Sequence, residues 1–265
     1  MFLCVKFLAD TNTFVLVFYR SIIQCAISFT ALIVGWMNRK RFQHTATNPY
    51  IPLRQVLLGP PDCETRFYLA VRGGFGASAI CAFYYGIQHM PLSDAVTLQF
   101  TTPPFAAAFA VCLVGEPWVM LDKLGAVVCL LGVALIAHPT GLFGDQSNPE
   151  EVIAEADPQQ TSAVFVTLAG AAMAGLAYVS VRKIGHKAPA MVMVWIDGVL
   201  CLPIVLLSAG LFEGTMSVWK FDRELSVTDA VLILLMGVSA FGGQWFTNLG
   251  LQEEAAATVC ALNGR

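Results

Sequence analysis

Long continuous runs of apolar and small residues alternate along the chain with short polar connections. Seven runs are long enough to span a bilayer: Thr13–Trp36, Phe67–His89, Asp94–Val114, Leu121–His138, Ser162–Ile184, Pro189–Phe212 and Ala230–Gly250. At a helical rise of ~1.5 Å per residue, about twenty residues cover roughly 30 Å, the thickness of a bilayer's hydrocarbon core. The runs are continuous rather than alternating, and an open sheet edge does not survive in lipid, so the pattern predicts helices and not strands. An eighth run begins at Ala255 and reaches only Arg265, too short to cross. The opening MFLCVKFLAD has a short apolar stretch and no small-residue cleavage site. It reads as the last turns of a helix rather than a signal peptide.

One run has internal punctuation. A turn at Pro91-Leu92-Ser93-Asp94 opens it, Thr101-Thr102-Pro103-Pro104 interrupts its centre, and Gly115-Glu116-Pro117-Trp118 closes it. No charge falls between Ala95 and Val114. Each proline lacks an amide hydrogen and frees the carbonyl one turn earlier, so carbonyls near Phe100 need partners. Threonine hydroxyls or a solute can supply them. Pro103 and Pro104 are therefore expected to kink the helix, and Gln99, Thr101 and Thr102 are candidate solute contacts beside the kink.

Composition agrees with the pattern. Of 265 residues, 57% are hydrophobic and 12% charged, with a mean hydropathy of +0.68, whereas a soluble globular chain carries about 25% charge. The class is an integral membrane protein, with the lipid bilayer as its solvent. The net charge of -3 and the lack of a basic, aromatic-interleaved patch argue against nucleic acid as a partner. The eight cysteines include no CxxC pair and read as small core residues.

Loop charge sets an orientation. With the Asn38–Arg66 loop inside, the inner side receives Arg39, Lys40, Arg41, Arg54, Arg66, Lys123, Arg182, Lys183 and Lys187. The outer side receives only Lys6, Lys220 and Arg223. That bias follows the positive-inside rule and puts the first residues on the outer face. The loop Pro139–Thr161 has no Lys or Arg and carries Asp145, Glu150, Glu151, Glu155 and Asp157. It reads as a solvated acidic linker. It lacks DxDxDG spacing for calcium, and no metal or cofactor is expected elsewhere.

The two halves are weakly alike. At an offset of 164, Gly73, Gly86 and Gln88 match Gly237, Gly250 and Gln252; at 177, FVLVFYRS (Phe14–Ser21) matches MVMVWIDG (Met191–Gly198). An odd number of spans separates the copies, so they enter the membrane from opposite sides, as inverted-topology repeats do. Chance similarity between apolar segments is the alternative.

Taken in order, RSIIQ, FYYGIQHMPLSDAVTLQFTTPPF, GEPW and KLGAVVCLLGVALIAHP resemble one repeat of the EamA-type transporters of the drug/metabolite transporter superfamily. That repeat has a small-residue-rich span, a PL-x-DA turn, a mid-span Ser/Thr-Pro, an inner GE and a glycine-rich closing helix. Ser162–Arg265 resembles the opening of a second copy. Members carry ten spans in two five-helix repeats and move small organic solutes by alternating access. The resemblance implies an all-α, polytopic membrane helical bundle of two inverted-topology repeats, here with about seven complete spans. The first repeat would cover 1–138 with its first helix mostly missing, the acidic outer loop 139–161, and an incomplete second repeat 162–265. Departures at both ends make a non-transporting scaffold or a degenerate transporter fragment the alternative reading.

Charges within spans need a reason. Arg20 and Asp197 occupy equivalent repeat positions and are expected to pair directly, through a solute, or not at all. Arg72, followed by Gly73, Gly74 and Gly76, can snorkel to the interface or meet an anionic solute. Gln244 and Asn248 form a polar i,i+4 stripe that suits helix contacts or a solute. Trp195 and Trp245 read as packing residues, Trp118 and Trp219 as interfacial, and Glu116 as an interfacial cap or a partner of Lys123. Glycine faces at Gly125 and Gly132 suit a homodimer contact or packing within the bundle. There is no HExxH, GxSxG or phosphate loop, and the four histidines are scattered, so the chain is read as no enzyme. Neither the solute nor the choice between plasma membrane and endomembrane is written in these residues.

Overall fold

The computed structural model describes residues 13–42, 52–115, 120–136, 158–212 and 227–263. The elements are α1 (Thr13–Phe42), α2 (Leu53–Leu58), α3 (Cys63–His89), α4 (Leu92–Gln99), α5 (Thr102–Phe109) with a π-helical turn at Ala110–Val114, α6 (Met120–Ile136), α7 (Pro158–Ile184) with a 3-10 turn at Gly185–Lys187, α8 (Ala190–Phe212) and α9 (Val227–Asn263). No strand occurs among the described residues. Glu116, Trp118, Trp219 and the acidic loop from Pro139 to Asp157 lie outside them.

Among the described residues, five stretches are both long and apolar enough to cross a membrane: Phe14–Asn38, Leu92–Val114, Ser162–Lys187, Ala190–Gly210 and Val227–Glu253. The other two expected crossings fall on α3 and α6. Helix α3 has 27 residues, but Arg72, three nearby glycines and the tyrosines dilute its apolarity. Helix α6 has 17, with Lys123–Val133 as its apolar stretch.

Capping and proline chemistry set several boundaries. Asp62 Oδ2 accepts hydrogen bonds from Thr65 Oγ1 at 2.7 Å and Thr65 N at 3.3 Å, closing the first turn of α3. Pro91 opens α4. Between α4 and α5, Pro103 and Pro104 cannot donate to the carbonyls of Gln99 and Phe100. Thr102 Oγ1 takes the Gln99 carbonyl at 2.7 Å, and Cys129 Sγ takes that of Phe100 at 3.1 Å. Thr101 Oγ1 takes Leu98 at 2.6 Å. Gly115, with φ 73, ends the π turn in the left-handed region, where glycine has no Cβ penalty. One expectation is corrected: Ala255 does not open a separate eighth run, because α9 continues unbroken to Asn263. The segment Leu251–Asn263 holds no Pro or Gly and is rich in Ala and Glu, both strong helix formers.

The chain forms two compact units. The first comprises 1–77 and 180–265. In it α1 packs on α8 and α9, and α1 and α8 run antiparallel. Phe29 stacks near Trp195 with ring centroids 5.4 Å apart. A Cβ on Gly198 would come within 2.8 Å of Cys25 Sγ, and one on Gly237 within 2.6 Å of Ile23. Such small-residue contacts are how helices approach when lipid removes most of the hydrophobic drive. Leu69, Val181, Ile184, Ala188 and Met193 form a buried cluster. Gln252 ties down the turn beside it, donating from Nε2 to the carbonyls of Gly185 at 2.5 Å and Ala188 at 2.8 Å.

The second unit comprises 78–179. In it α6 packs on α4 and α5. Gly170 abuts Ala82, Gly86 abuts the Thr167 hydroxyl, and Gly175 abuts the backbone of Ala106. Nothing stands within 4 Å of a Cβ built on Gly125 or Gly132, so neither is a packing glycine inside this unit.

Two outcomes follow. Replacing Gln252 with Ala strands the buried Ala188 carbonyl and the half-buried Gly185 carbonyl and should cost about 1–3 kcal/mol, read by thermal unfolding in detergent. The Thr65 hydroxyl, with the backbone amides of Thr65 and Glu64, holds the exposed Asp62 carboxyl below its usual range. A lowered folded-state value stabilises above the unfolded value near ~3.9 and is lost as pH falls through the lowered one. Amide-exchange protection at residues 63–66 should therefore drop at acid pH in the wild type and stay level in Asp62→Asn.

Candidate polar site in the membrane bundle

Four helices of the first unit bring polar side chains to one place. From α3, Arg72 donates Nη1 to Asp197 Oδ1 on α8 at 2.9 Å, an ion pair whose side chains are 2% and 1% exposed. Arg72 Nη2 donates to Gln244 Oε1 at 2.6 Å and Asn248 Oδ1 at 3.3 Å, both on α9. From α1, Gln24 Nε2 donates to Asp197 Oδ2 at 3.3 Å and to the Val194 carbonyl at 3.1 Å. Both carboxylate oxygens are thus engaged, and one guanidinium is shared among three acceptors. Such compensation offsets the cost of burying the pair.

Glycines make room for this pair. A Cβ on Gly76 would collide with Arg72 Nη1 and come 2.6 Å from Asp197 Oδ1; one on Gly73 would come 2.6 Å from Leu200. The Gly73 contact lets α3 sit close to α8. The bare Gly76 leaves the space in which guanidinium and carboxylate meet.

Not every donor is used. Arg72 Nε and Asn248 Nδ2 are buried without a hydrogen-bond partner. The arrangement holds a fixed positive centre with spare donors. It contains no nucleophile–base pair, and the described residues hold no group of three or more His, Cys, Asp or Glu able to bind a metal.

The profile of the EamA-like transporter family matches residues 1–138. This chain belongs to the EamA-like transporter family. With five helices among the described residues long and apolar enough to cross a membrane, it is an integral, multi-pass membrane protein. A probable transport protein of Saccharomyces cerevisiae, YPL264C, is 30% identical over 206 residues, covering 75% of this chain and 56% of that protein. Human solute carrier family 35 member G1 is 29% identical over 224 residues, 83% of this chain and 58% of that one. The pseudopaline exporter CntI of Pseudomonas aeruginosa is 26% identical over 200 residues, 72% and 59%. The chain spans a little over half the length of these relatives.

The structure brings Arg72, Asp197, Gln244 and Asn248 together. It does not pair Arg20 with Asp197. The repeat alignment makes those positions equivalent in sequence, but the antiparallel register sets Gln24 opposite Asp197 and leaves Arg20 one turn away. Nor does Arg72 snorkel, since it is 1% exposed. Trp195 packs on Phe29 and Trp245 on Phe246. Gln24 was missed by sequence reasoning; its signal was an amide in an apolar span, i+4 from Arg20. In the second unit, Gln99 Nε2 donates to Thr102 Oγ1 at 3.2 Å, its Oε1 is buried without a partner, and Thr101 and Thr102 are each 4% exposed. Their hydroxyls serve the carbonyls at the Pro103–Pro104 break.

Gly76→Ala should force the ion pair apart and destabilise by about 1–3 kcal/mol. Gly74→Ala, whose added Cβ meets no atom beyond its own stretch of helix within 4 Å, should be neutral or slightly stabilising. Thermal unfolding of the two variants in detergent checks the contrast.

Proposed function

We propose that this chain serves transmembrane transport of a small organic solute by alternating access, with the Arg72–Asp197 network as part of the solute site. The observation carrying this is a buried ion pair with spare donors inside a membrane helix bundle. Charges at such positions are expensive and mark solute or ion pathways. Family membership and relatives named as a transport protein, a solute carrier and an exporter support the same reading. Motif order favours two inverted repeats over 1–138 and 162–265, joined by the acidic loop 139–161. On this reading Arg20, Gln244 and Asn248 are solute contacts within the first unit; Gln99, Thr101 and Thr102 are taken by themselves as candidate solute contacts of the second unit. The Pro103–Pro104 break supplies a bend where helix segments rock. The glycine face of α6, at Gly125 and Gly132, is open to a homodimer contact.

Uptake into proteoliposomes tests the proposal with a panel of nucleotide sugars, amino acids, purines and organic acids. At least one should be moved. Gln244→Leu and Asn248→Ala should cut that uptake while the protein still folds. Losing about 3 kcal/mol of pair energy in Asp197→Asn corresponds to an uptake loss of about 100-fold if it falls on the transport step. A folded wild-type protein that moves nothing in the panel would favour a non-transporting scaffold.

A further inference from the structure

Among its described residues, the interior of the first unit holds an unbalanced charge. Arg20 is 3% exposed, its Nε has no hydrogen-bond partner, and no carboxylate among the described residues stands within ion-pair reach of it. The acid nearest in register, Asp197, is already engaged by Arg72 and Gln24. Along the antiparallel α1–α8 contact, Phe29 meets Trp195, Cys25 meets Gly198 and Gln24 meets Asp197. One further turn brings Arg20 and Ser21 beside Cys201. Residues four apart on a helix stand about 6 Å apart, so Arg20 shares the wall that carries the Arg72 network. Among the described residues, two guanidiniums there face one carboxylate. Among the described residues of this unit Asp229 is the other buried carboxylate, and it lies 15 residues before Gln244 in α9, so it stands roughly 22 Å along the axis from the Arg72 end of the network at ~1.5 Å per residue.

The unused atoms have one character. Arg20 Nε, Arg72 Nε and Asn248 Nδ2 are all donors, and no unpartnered buried side-chain acceptor accompanies them among the described residues of this unit. A neutral solute would meet the donors and leave the charge. A cationic solute would worsen it. An anion answers both.

We propose that the solute site of the first unit is an anion site: it takes a carboxylate- or phosphate-bearing molecule between Arg20 and the Arg72–Asn248 donors. The assignment rests on the transport reading for its role, and on burial and charge for its chemistry.

Thermal unfolding of the purified chain in detergent tests it. The probes are succinate, inorganic phosphate, choline and phosphatidylglycerol-doped micelles, at equal ionic strength. Succinate or phosphate at 100-fold above its Kd should raise the unfolding midpoint by about 5–10 °C. Arg20→Gln should remove most of that rise, and Arg20→Lys should keep part of it. Without ligand, Arg20→Gln should unfold no earlier than the wild type, because it removes an uncompensated buried charge. A wild-type profile that no soluble anion moves, equal stabilisation by choline, or a shift that survives Arg20→Gln would overturn the proposal. A rise with phosphatidylglycerol alone would assign the charge to a lipid headgroup and overturn the solute assignment. Anion binding without uptake in proteoliposomes would sink the transport reading alone, whereas uptake restricted to cations would sink the anion assignment alone.

Discussion

The buried contact between the Arg72 guanidinium and the Asp197 carboxylate is the constraint around which the first unit is arranged. Neither charge has water to turn to, and a lone buried charge costs several kcal/mol. The cost is offset by spreading contacts over four helices. Gln24 brings in α1, Gln244 and Asn248 bring in α9, and Gly73 and Gly76 let α3 come close enough to α8. The same α9 stripe continues one turn to Gln252, which holds the Gly185–Ala188 turn between α7 and α8. One polar stripe on one helix therefore secures the ion pair and the connection next to it.

The second unit meets the same physical demand with neutral groups. Backbone carbonyls in lipid need partners within the protein, and two adjacent prolines orphan two of them. Thr102 and Cys129 fill those vacancies one for one, and Thr101 secures the carbonyl just before them. The break between α4 and α5 is thus a satisfied structure rather than a defect. It interrupts the helix while both backbone carbonyls keep partners.

Much of this was legible in the residues. Continuous apolar runs marked the helices, Thr101 to Pro104 marked the break, and Gln244 with Asn248 stood out as a polar stripe. The partner of Arg72 was not legible, because Asp197 is 125 residues away and only tertiary packing joins them. The repeat alignment pointed to Arg20 instead, since it reports equivalent positions and not neighbours. Gly76 looked like any packing glycine; its role in clearing space for a charge pair depends on where Arg72 turns. The continuation of α9 past Gly250 was hidden by the repeat offset of 164, which sets Ala255 opposite Pro91, although the second copy has no proline there to stop a helix.

The account stands on the claim that Arg72 and Asp197 stabilise each other. The most direct measurement is a double-mutant cycle with Arg72→Leu, Asp197→Leu and the double variant, read by reversible unfolding in detergent. The account predicts that each single change is more damaging than the double change implies, with a coupling of about 2 kcal/mol or more between the sites. Additive single effects, with no coupling, would contradict it.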